Sequence, residues 1–234
     1  MTTFKEIETK HHYTFPKFYK ELWEGDMLNW MRGFDTNLEK GKTWSADVYP
    51  TLKENPPVLL HSGGSDFELL TPDETLHFEF PDDWDTDTHH FIPFAKTAEG
   101  NVYAFYENIE IEGENPIVLI WDDDETEIIA KNFEDFIFRK MVEAVYDVDK
   151  DDLDADYKSS GFEGYRIDIQ NDLKSISPYI KNEYRLLLEE LYSRKEVSES
   201  MISFSLLSRE EMIELIHKHL AFDELNTLFE HEID

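Results

Sequence analysis

From Phe91 onward the chain alternates between short apolar runs and polar breaks. FIPFAK, VYAFYENIEI, IVLIW and TEIIAK are separated by turns at Glu99-Gly100-Asn101, at EGENP and at the acidic DDDE. Short runs rich in β-branched and aromatic residues, bounded by Gly, Pro, Asn and Asp, predict strands joined by hairpins. A helix follows over FEDFIFRKMVEAVY: Phe133, Phe136, Ile137, Met141 and Val145 form an apolar stripe, and Asn132 predicts the N-cap. Upstream, TFPKFYKELWEGDMLNWM predicts a first helix, capped by Thr14 with Pro16 in its opening turn. Residues 41–80 mix turn residues with short runs such as VLL and FELL and predict short strands or irregular segments. PDDWDTDTHH at 81–90 predicts a polar loop.

Beyond the hairpins, DVDKDDLDAD at 147–156 predicts an exposed linker, and GYRIDIQ alternates as a short strand would. SPYIKNEYRLLLEELYSR predicts a helix with Ser177 as cap and Pro178 in first position. SREEMIELIHKHL predicts another, with Ser208 and Glu211 forming a capping box, and FDELNTLFEHEI extends or follows it. No internal repeat is evident. The expected organisation is an α+β domain over residues 1–146, then an acidic linker and C-terminal helical extension over 147–234.

Charge sharpens this picture. The chain of 234 residues carries 53 acids against 22 Lys and Arg, a net charge of −31, yet 40% of its residues are hydrophobic and 14% aromatic. That apolar content supports a packed core, so the acidity does not signal disorder. Residues 1–65 are nearly balanced, with 9 acids and 8 bases, whereas residues 66–135 carry 21 acids against Lys96 and Lys131 alone. Such a field repels nucleic acids and anionic membranes and favours basic partners, so neither a nucleic acid nor a membrane is expected as partner. The chain has no cysteine, which removes thiol catalysis and disulfides. No stretch is long and apolar enough for a membrane helix and the first residues lack a signal-peptide core, so a soluble, cytoplasmic protein is expected.

Candidate chemistry is plentiful, but none of it is specific. Asp122, Asp123 and Asp124 offer hard-cation ligands, yet a tight hairpin splays successive side chains apart and Asp suits turn geometry for its own reasons. Asp147, Asp149 and Asp151 begin like an EF-hand loop, but Asp152 stands where Gly is needed and Lys158 where the bidentate Glu belongs. Asp83, Asp85, Asp87, His89 and His90 mix ligand types on a loop without a frame, and Glu214 with His217 makes a single Glu-x-x-His where a di-metal bundle needs two. Ser62-Gly63-Gly64-Ser65 lacks the Lys-Ser/Thr of a phosphate loop, and no nucleophile elbow is present. The expectation is therefore no catalytic, cofactor or metal site.

The stretch 91–140 has a more particular character. An apolar-Pro-Phe strand (Phe91, Ile92, Pro93, Phe94), a Gly turn (Gly100), an aromatic strand (Tyr103, Phe105) and an apolar strand (Val118, Leu119, Ile120) come in order. An acidic turn and a helix start of the form polar-Phe-x-x-Phe (Asn132, Phe133, Phe136) complete the set. This order, with Phe15, Pro16, Tyr19 and Leu22 upstream, resembles the Smi/Knr family of the SUKH superfamily. The resemblance is loose over 12–146 and good over 91–140. It departs at 24–60, where WEGDMLNWMRGFDTN replaces an expected Asn-Gly-Gly loop, and at Tyr106-Glu107, where an Asp often ends the aromatic strand. It implies an α+β fold with a mixed, mainly antiparallel sheet flanked by helices. It also implies non-enzymatic work: bacterial relatives neutralise toxins by binding them, and fungal relatives regulate cell-wall synthesis through protein contacts.

Resemblance and charge together predict a protein that captures another protein, most simply as the immunity partner of a basic bacterial toxin. The residues expected to meet that partner are Asp82, Asp83, Trp84, Glu110, Glu112, Asp122, Asp123 and Asp124. The alternatives are a regulatory or scaffold protein without a toxin partner and, last, a hydrolase using paired carboxylates.

Overall fold

A computed structural model describes residues 3–32, 41–64, 67–122, 125–197, 202–220 and 228–231. In chain order the elements are α1 (Phe4–Lys10), α2 (Lys17–Glu24), a π-helical turn (Trp44–Val48) running into α3 (Tyr49–Leu52), β1 (Glu68–Leu69) and α4 (Pro72–His77). The strands β2 (Phe91–Lys96), β3 (Val102–Tyr106), β4 (Ile117–Ile120) and β5 (Glu125–Ala130) lead into α5 (Phe133–Glu143). Then come β6 (Val148–Asp149), α6 (Lys150–Tyr157), a 3-10 turn (Lys158–Ser160), α7 (Gly161–Ile176), α8 (Asn182–Tyr192), β7 (Ser203–Phe204), α9 (Arg209–Leu220) and β8 (Leu228–Glu230). The fold is α+β. The chain divides into two compact units, one built from residues 1–20, 65–136 and 220–234, the other from 21–64 and 137–219.

The first unit holds a six-stranded sheet of order β1-β2-β3-β4-β5-β8 in which every neighbouring pair is antiparallel. Strands β2, β4 and β5 fall where the hydrophobic pattern puts them, whereas β3 stops at Tyr106, short of the end of the VYAFYENIEI run, because Glu107 and Asn108 enter a turn. Pro93 has no N–H to give an inner ladder, and the β2–β3 register slips between Pro93 and Ala95, a bulge that accommodates it. Gly100 takes the positive φ of 102° that the β2–β3 turn needs. One face of the sheet is closed by aromatic side chains: the Phe133 ring meets Phe94 edge-on at 5.1 Å and Phe105 at 5.6 Å, and Phe136 meets Tyr103 at 5.5 Å. Phe15 stacks on Tyr19 at 4.6 Å, and Tyr19 meets Phe105 edge-on at 5.2 Å. Rings of this kind remove large apolar areas from water and add geometric specificity. The expected cap on α5 is present: the Asn132 side-chain oxygen accepts the Asp135 N–H at 2.9 Å.

Several expectations give way. VLL forms turns, and 72–77 is a helix, because Thr71 and Glu74 make a full capping box in front of it and Pro72 takes its first position. Helix α2 begins at Lys17, with the Pro16 carbonyl accepting the Lys20 N–H at 3.1 Å, and Thr14 lies outside it. In the second unit the acidic 147–156 stretch is β6 and α6: the Asp149 carboxylate caps the helix through the Asp151 N–H at 2.7 Å, and acids in a first turn suit the helix dipole. GYRIDIQ lies inside α7. Phe162, Ile169, Leu173 and Ile176 are buried at helical spacing, and Ile167, whose alternation with Ile169 suggested a strand, is 60% exposed. Ser177 ends α7 rather than starting α8, giving both its N–H and its hydroxyl to the Leu173 carbonyl. Ser208 accepts the Glu211 N–H at 3.1 Å, while the Glu211 carboxylate binds Arg194. Residues 228–230 form a strand, and 221–227 lie outside the described residues.

Candidate functional site

Alternation along the strands sends Phe91, Val102, Ala104, Tyr106, Val118, Ile120 and Ile128 to the second face of the sheet, where they form a cluster around the buried indole of Trp84. The cover over this cluster comes from the segment 78–84, from the β3–β4 loop and from β8. Phe78, Phe80, Ile109 and Phe229 pack on it and remain half-exposed. Ring contacts run from Phe78 to Phe80 (4.9 Å), Phe80 to Phe91 (6.0 Å), and Phe229 to Tyr106 (5.0 Å) and His89 (5.1 Å).

Polar bonds tie the three covering segments together. The Asp85 N–H donates to the His231 carbonyl at 2.6 Å, and the His231 ring lies edge-on to Trp84 at 4.5 Å and 3.0 Å from the Thr126 hydroxyl. Asn108 accepts the His90 N–H at 2.8 Å and donates to the Thr88 carbonyl at 2.7 Å. Asn115 donates to the Glu107 and Ile109 carbonyls. Segments 78–91, 106–115 and 228–231 together hold ten carboxylates (Glu79, Asp82, Asp83, Asp85, Asp87, Glu107, Glu110, Glu112, Glu114 and Glu230) and no Lys or Arg. From outside them, Lys131 reaches Glu112 at 3.7 Å and Lys10 donates to the Leu76 and Phe78 carbonyls. The result is an acidic rim around half-exposed rings.

The residues expected to meet a partner do not share one place. Asp82 and Asp83 are exposed on the covering segment, and Glu110 and Glu112 are exposed on the β3–β4 loop. Trp84, between the first pair and the sheet, is only 4% exposed, so its ring serves the core and is not presented on the surface. Asp122 sits at the other end of the strands, its N–H donating to the Asn101 side chain at 3.1 Å across two neighbouring turns. The five residues of β3, at ~3.4 Å each, separate that end from the β3–β4 loop. Asp123 and Asp124 lie outside the described residues. Among the described residues no group of three or more His, Cys, Asp or Glu is arranged to hold a metal ion, and no helix is long and apolar enough to cross a membrane.

Sequence reasoning missed a buried polar cluster in the second unit. Asp172 on α7 accepts three hydrogen bonds at one carboxylate oxygen: from the His61 N–H (3.0 Å), the Ser62 N–H (2.8 Å) and the Ser62 hydroxyl (2.6 Å). One turn earlier Asp168 accepts from Lys53 (3.1 Å) and from the Tyr157 hydroxyl (3.0 Å), and lies 3.9 Å from His61 Nδ1, which also meets the Tyr49 hydroxyl at 3.3 Å. Tyr165 donates to the Ala144 carbonyl at 2.9 Å. Burial pushes the Asp172 carboxyl up to about 7 against the pull of those three donors. Burial likewise pushes His61 down to about 4, with Asp168 opposing. His61 is thus neutral at pH 7, and its approach to Asp168 is not an ion pair there. The other Asp172 oxygen and His61 Nε2 have no hydrogen-bond partner among the described residues.

The cluster clamps the 53–62 segment onto α7. Ser62 is 1% exposed and gives its hydroxyl to a carboxylate, while the His61 Nδ1 atom faces Asp168 and Tyr49. A serine nucleophile needs its base within hydrogen-bond reach, and this arrangement does not supply that pairing. The isolated spacing of Ser62 and Asp172, 110 residues apart, carries no sequence signal.

Comparison with known families matches residues 2–139 to the SMI1 / KNR4 family (SUKH-1). Comparison with curated proteins and with solved structures gave no match.

Proposed function

The chain belongs to the SMI1 / KNR4 family (SUKH-1), a family of immunity and regulatory proteins, and from that premise we propose that it binds a basic protein and masks it, as the immunity partner of a toxin would. The observation that carries this reading is the second face of the sheet, its outer face, built around Trp84. Half-exposed Phe78, Phe80, Ile109 and Phe229 lie on segments that hold ten carboxylates and no Lys or Arg. Long-range attraction to such a surface speeds encounter with a cationic partner, and desolvated apolar contacts then slow its escape. Asp82, Asp83, Glu110 and Glu112 belong to this face, and the Asp122 turn, at the opposite end of the strands, does not. Family membership favours binding over catalysis, and the protein is proposed to act without turnover, cofactor or metal.

The test is co-purification with the products of adjacent reading frames, followed by an activity assay on any basic protein recovered. A single partner held at nanomolar affinity and silenced on binding supports the reading. Uniform weak binding to unrelated basic proteins, with no such partner, defeats it.

A second reading, a regulatory protein with a client but no toxin, draws on the second unit. Ile167, Val197, Leu186, Ile202 and Ile213 are all at least 49% exposed there. A client that binds after these side chains are intact, and is lost when they become polar, would favour it.

A further inference from the structure

We infer that the outer face of the sheet discriminates arginine from lysine on its basic partner, so that recognition rests on guanidinium groups and not on positive charge alone. This deepens the proposal of a basic partner and rests on it. Phe78 and Phe80 stand 4.9 Å apart, Phe80 continues to Phe91, and Phe229 lies nearly parallel to Phe91 at 6.5 Å and 12°. Phe78, Phe80 and Phe229 are held by the cluster beneath them, Phe91 included, but keep part of their surface in water. Carboxylates alternate with them along the chain: Glu79 between Phe78 and Phe80, Asp82 and Asp83 just after, and Glu110 beside Ile109. All four are exposed.

The face therefore sets planar apolar surfaces beside acceptor-only oxygens. A guanidinium satisfies both at once. It is planar, weakly hydrated, stacks on aromatic faces and gives two parallel N–H donors to one carboxylate. A lysine ammonium is a compact, strongly hydrated charge that gains from the carboxylates but little from the exposed ring faces. Charge complementarity selects a cationic partner, and the rings select among cations.

The probe is a glycine-spaced oligo-arginine peptide, labelled for fluorescence anisotropy, against its lysine counterpart of equal length and charge, at about 0.15 M salt. The expected result is about tenfold tighter binding of the arginine peptide, the preference that about 1.4 kcal/mol produces. Phe80→Leu keeps apolar volume and removes the ring, so it should erase most of the preference while leaving lysine binding unchanged. Asp82→Asn with Asp83→Asn should weaken both peptides. Glu99→Gln, on the β2–β3 turn outside the three segments, is the control and should change neither. Melting curves confirm that each variant is folded.

Equal affinity for the two peptides, or a preference that survives Phe80→Leu in a folded protein, overturns the inference. Both outcomes leave the basic-partner reading standing, because charge alone would suffice for it. Absence of binding to either peptide also overturns the inference. The broader reading is decided separately, by recovery of a folded partner.

Discussion

Asp172 and His61 predict pH dependences that cancel in the intact protein between about pH 4 and 6.5 and appear, with opposite signs, when either is replaced. An acid whose pKa rises on folding binds more protons in the folded state, so its stabilising contribution is full at low pH and is lost as pH rises. For Asp172 the loss runs from its ordinary value of 3.8 to about 7, roughly 3 units or about 4 kcal/mol at 1.36 kcal/mol per unit. A base whose pKa falls on folding does the reverse. For His61 stability is lost as pH falls from 6.5 to about 4, roughly 2.5 units or about 3 kcal/mol.

Between about pH 4 and 6.5 the two slopes cancel. Asp172→Asn removes the falling slope. Relative to the parent, this variant should lose about 2 kcal/mol on going from pH 6.5 to 4.5. His61→Asn removes the rising slope and should lose a similar amount, about 2 kcal/mol, on going from pH 4.5 to 6.5. Constant offsets from altered packing drop out because only the change with pH is read. Asp168, Lys53, Tyr49, Tyr157 and Tyr165 are untouched in both variants. The assay is urea unfolding followed by tryptophan fluorescence across pH 4.5 to 8. Parallel curves for parent and variants would refute the reasoning, since they would mean that neither group changes its proton affinity on folding.

Other outcomes follow from single contacts. Trp84→Ala should cost about 3–5 kcal/mol, read by chemical denaturation, because it empties a large site in the outer-face cluster. Any binding lost in Trp84→Ala should return when the variant is stabilised by low temperature. Thr71→Ala removes the N-terminal cap of α4, in which the Glu74 N–H meets Thr71 Oγ1 at 3.2 Å, and should cost about 1 kcal/mol, read as a lower urea midpoint. Asn101→Ala deprives the Asp122 N–H of its acceptor, so that amide should exchange with deuterium faster while the strand amides of β3 stay protected.

The sheet was legible because its evidence is local. Strands β2 to β5 show short apolar runs and turn residues in register, and α5 advertises Asn132 in front of a stripe. Helices α4 and α7 show where local pattern misleads. In RIDIQ two isoleucines two apart look like a strand face, yet only Ile169 is buried, and the buried acids Asp168 and Asp172 broke the apolar stripe that would have announced α7. The Thr71-Pro72-Asp73-Glu74 box was readable by the capping rule and was outweighed by its turn-like composition. That Glu110 and Asp122 fall at opposite ends was also readable, since successive turns of an antiparallel meander alternate ends. The placement of Trp84 and the Ser62–Asp172 clamp were not, because both depend on segments brought together over more than 100 positions.

Strand β8 gives the outer face a history as well as a shape. Thr126 and His231, which meet through their side chains, are separated by 105 positions. Closing a loop of that length costs about 4 kcal/mol of chain entropy by logarithmic scaling. At a synthesis rate of about 5–20 residues per second, roughly 5–20 s pass between the emergence of β5 and the arrival of the strand that pairs with it. Through that interval Tyr106, Phe91 and His89 lack Phe229, and the β5 edge has open hydrogen-bonding groups. The nascent chain thus exposes its stickiest surface before it can use it, and the surrounding carboxylates, by repelling one another on neighbouring copies, keep those unfinished faces apart.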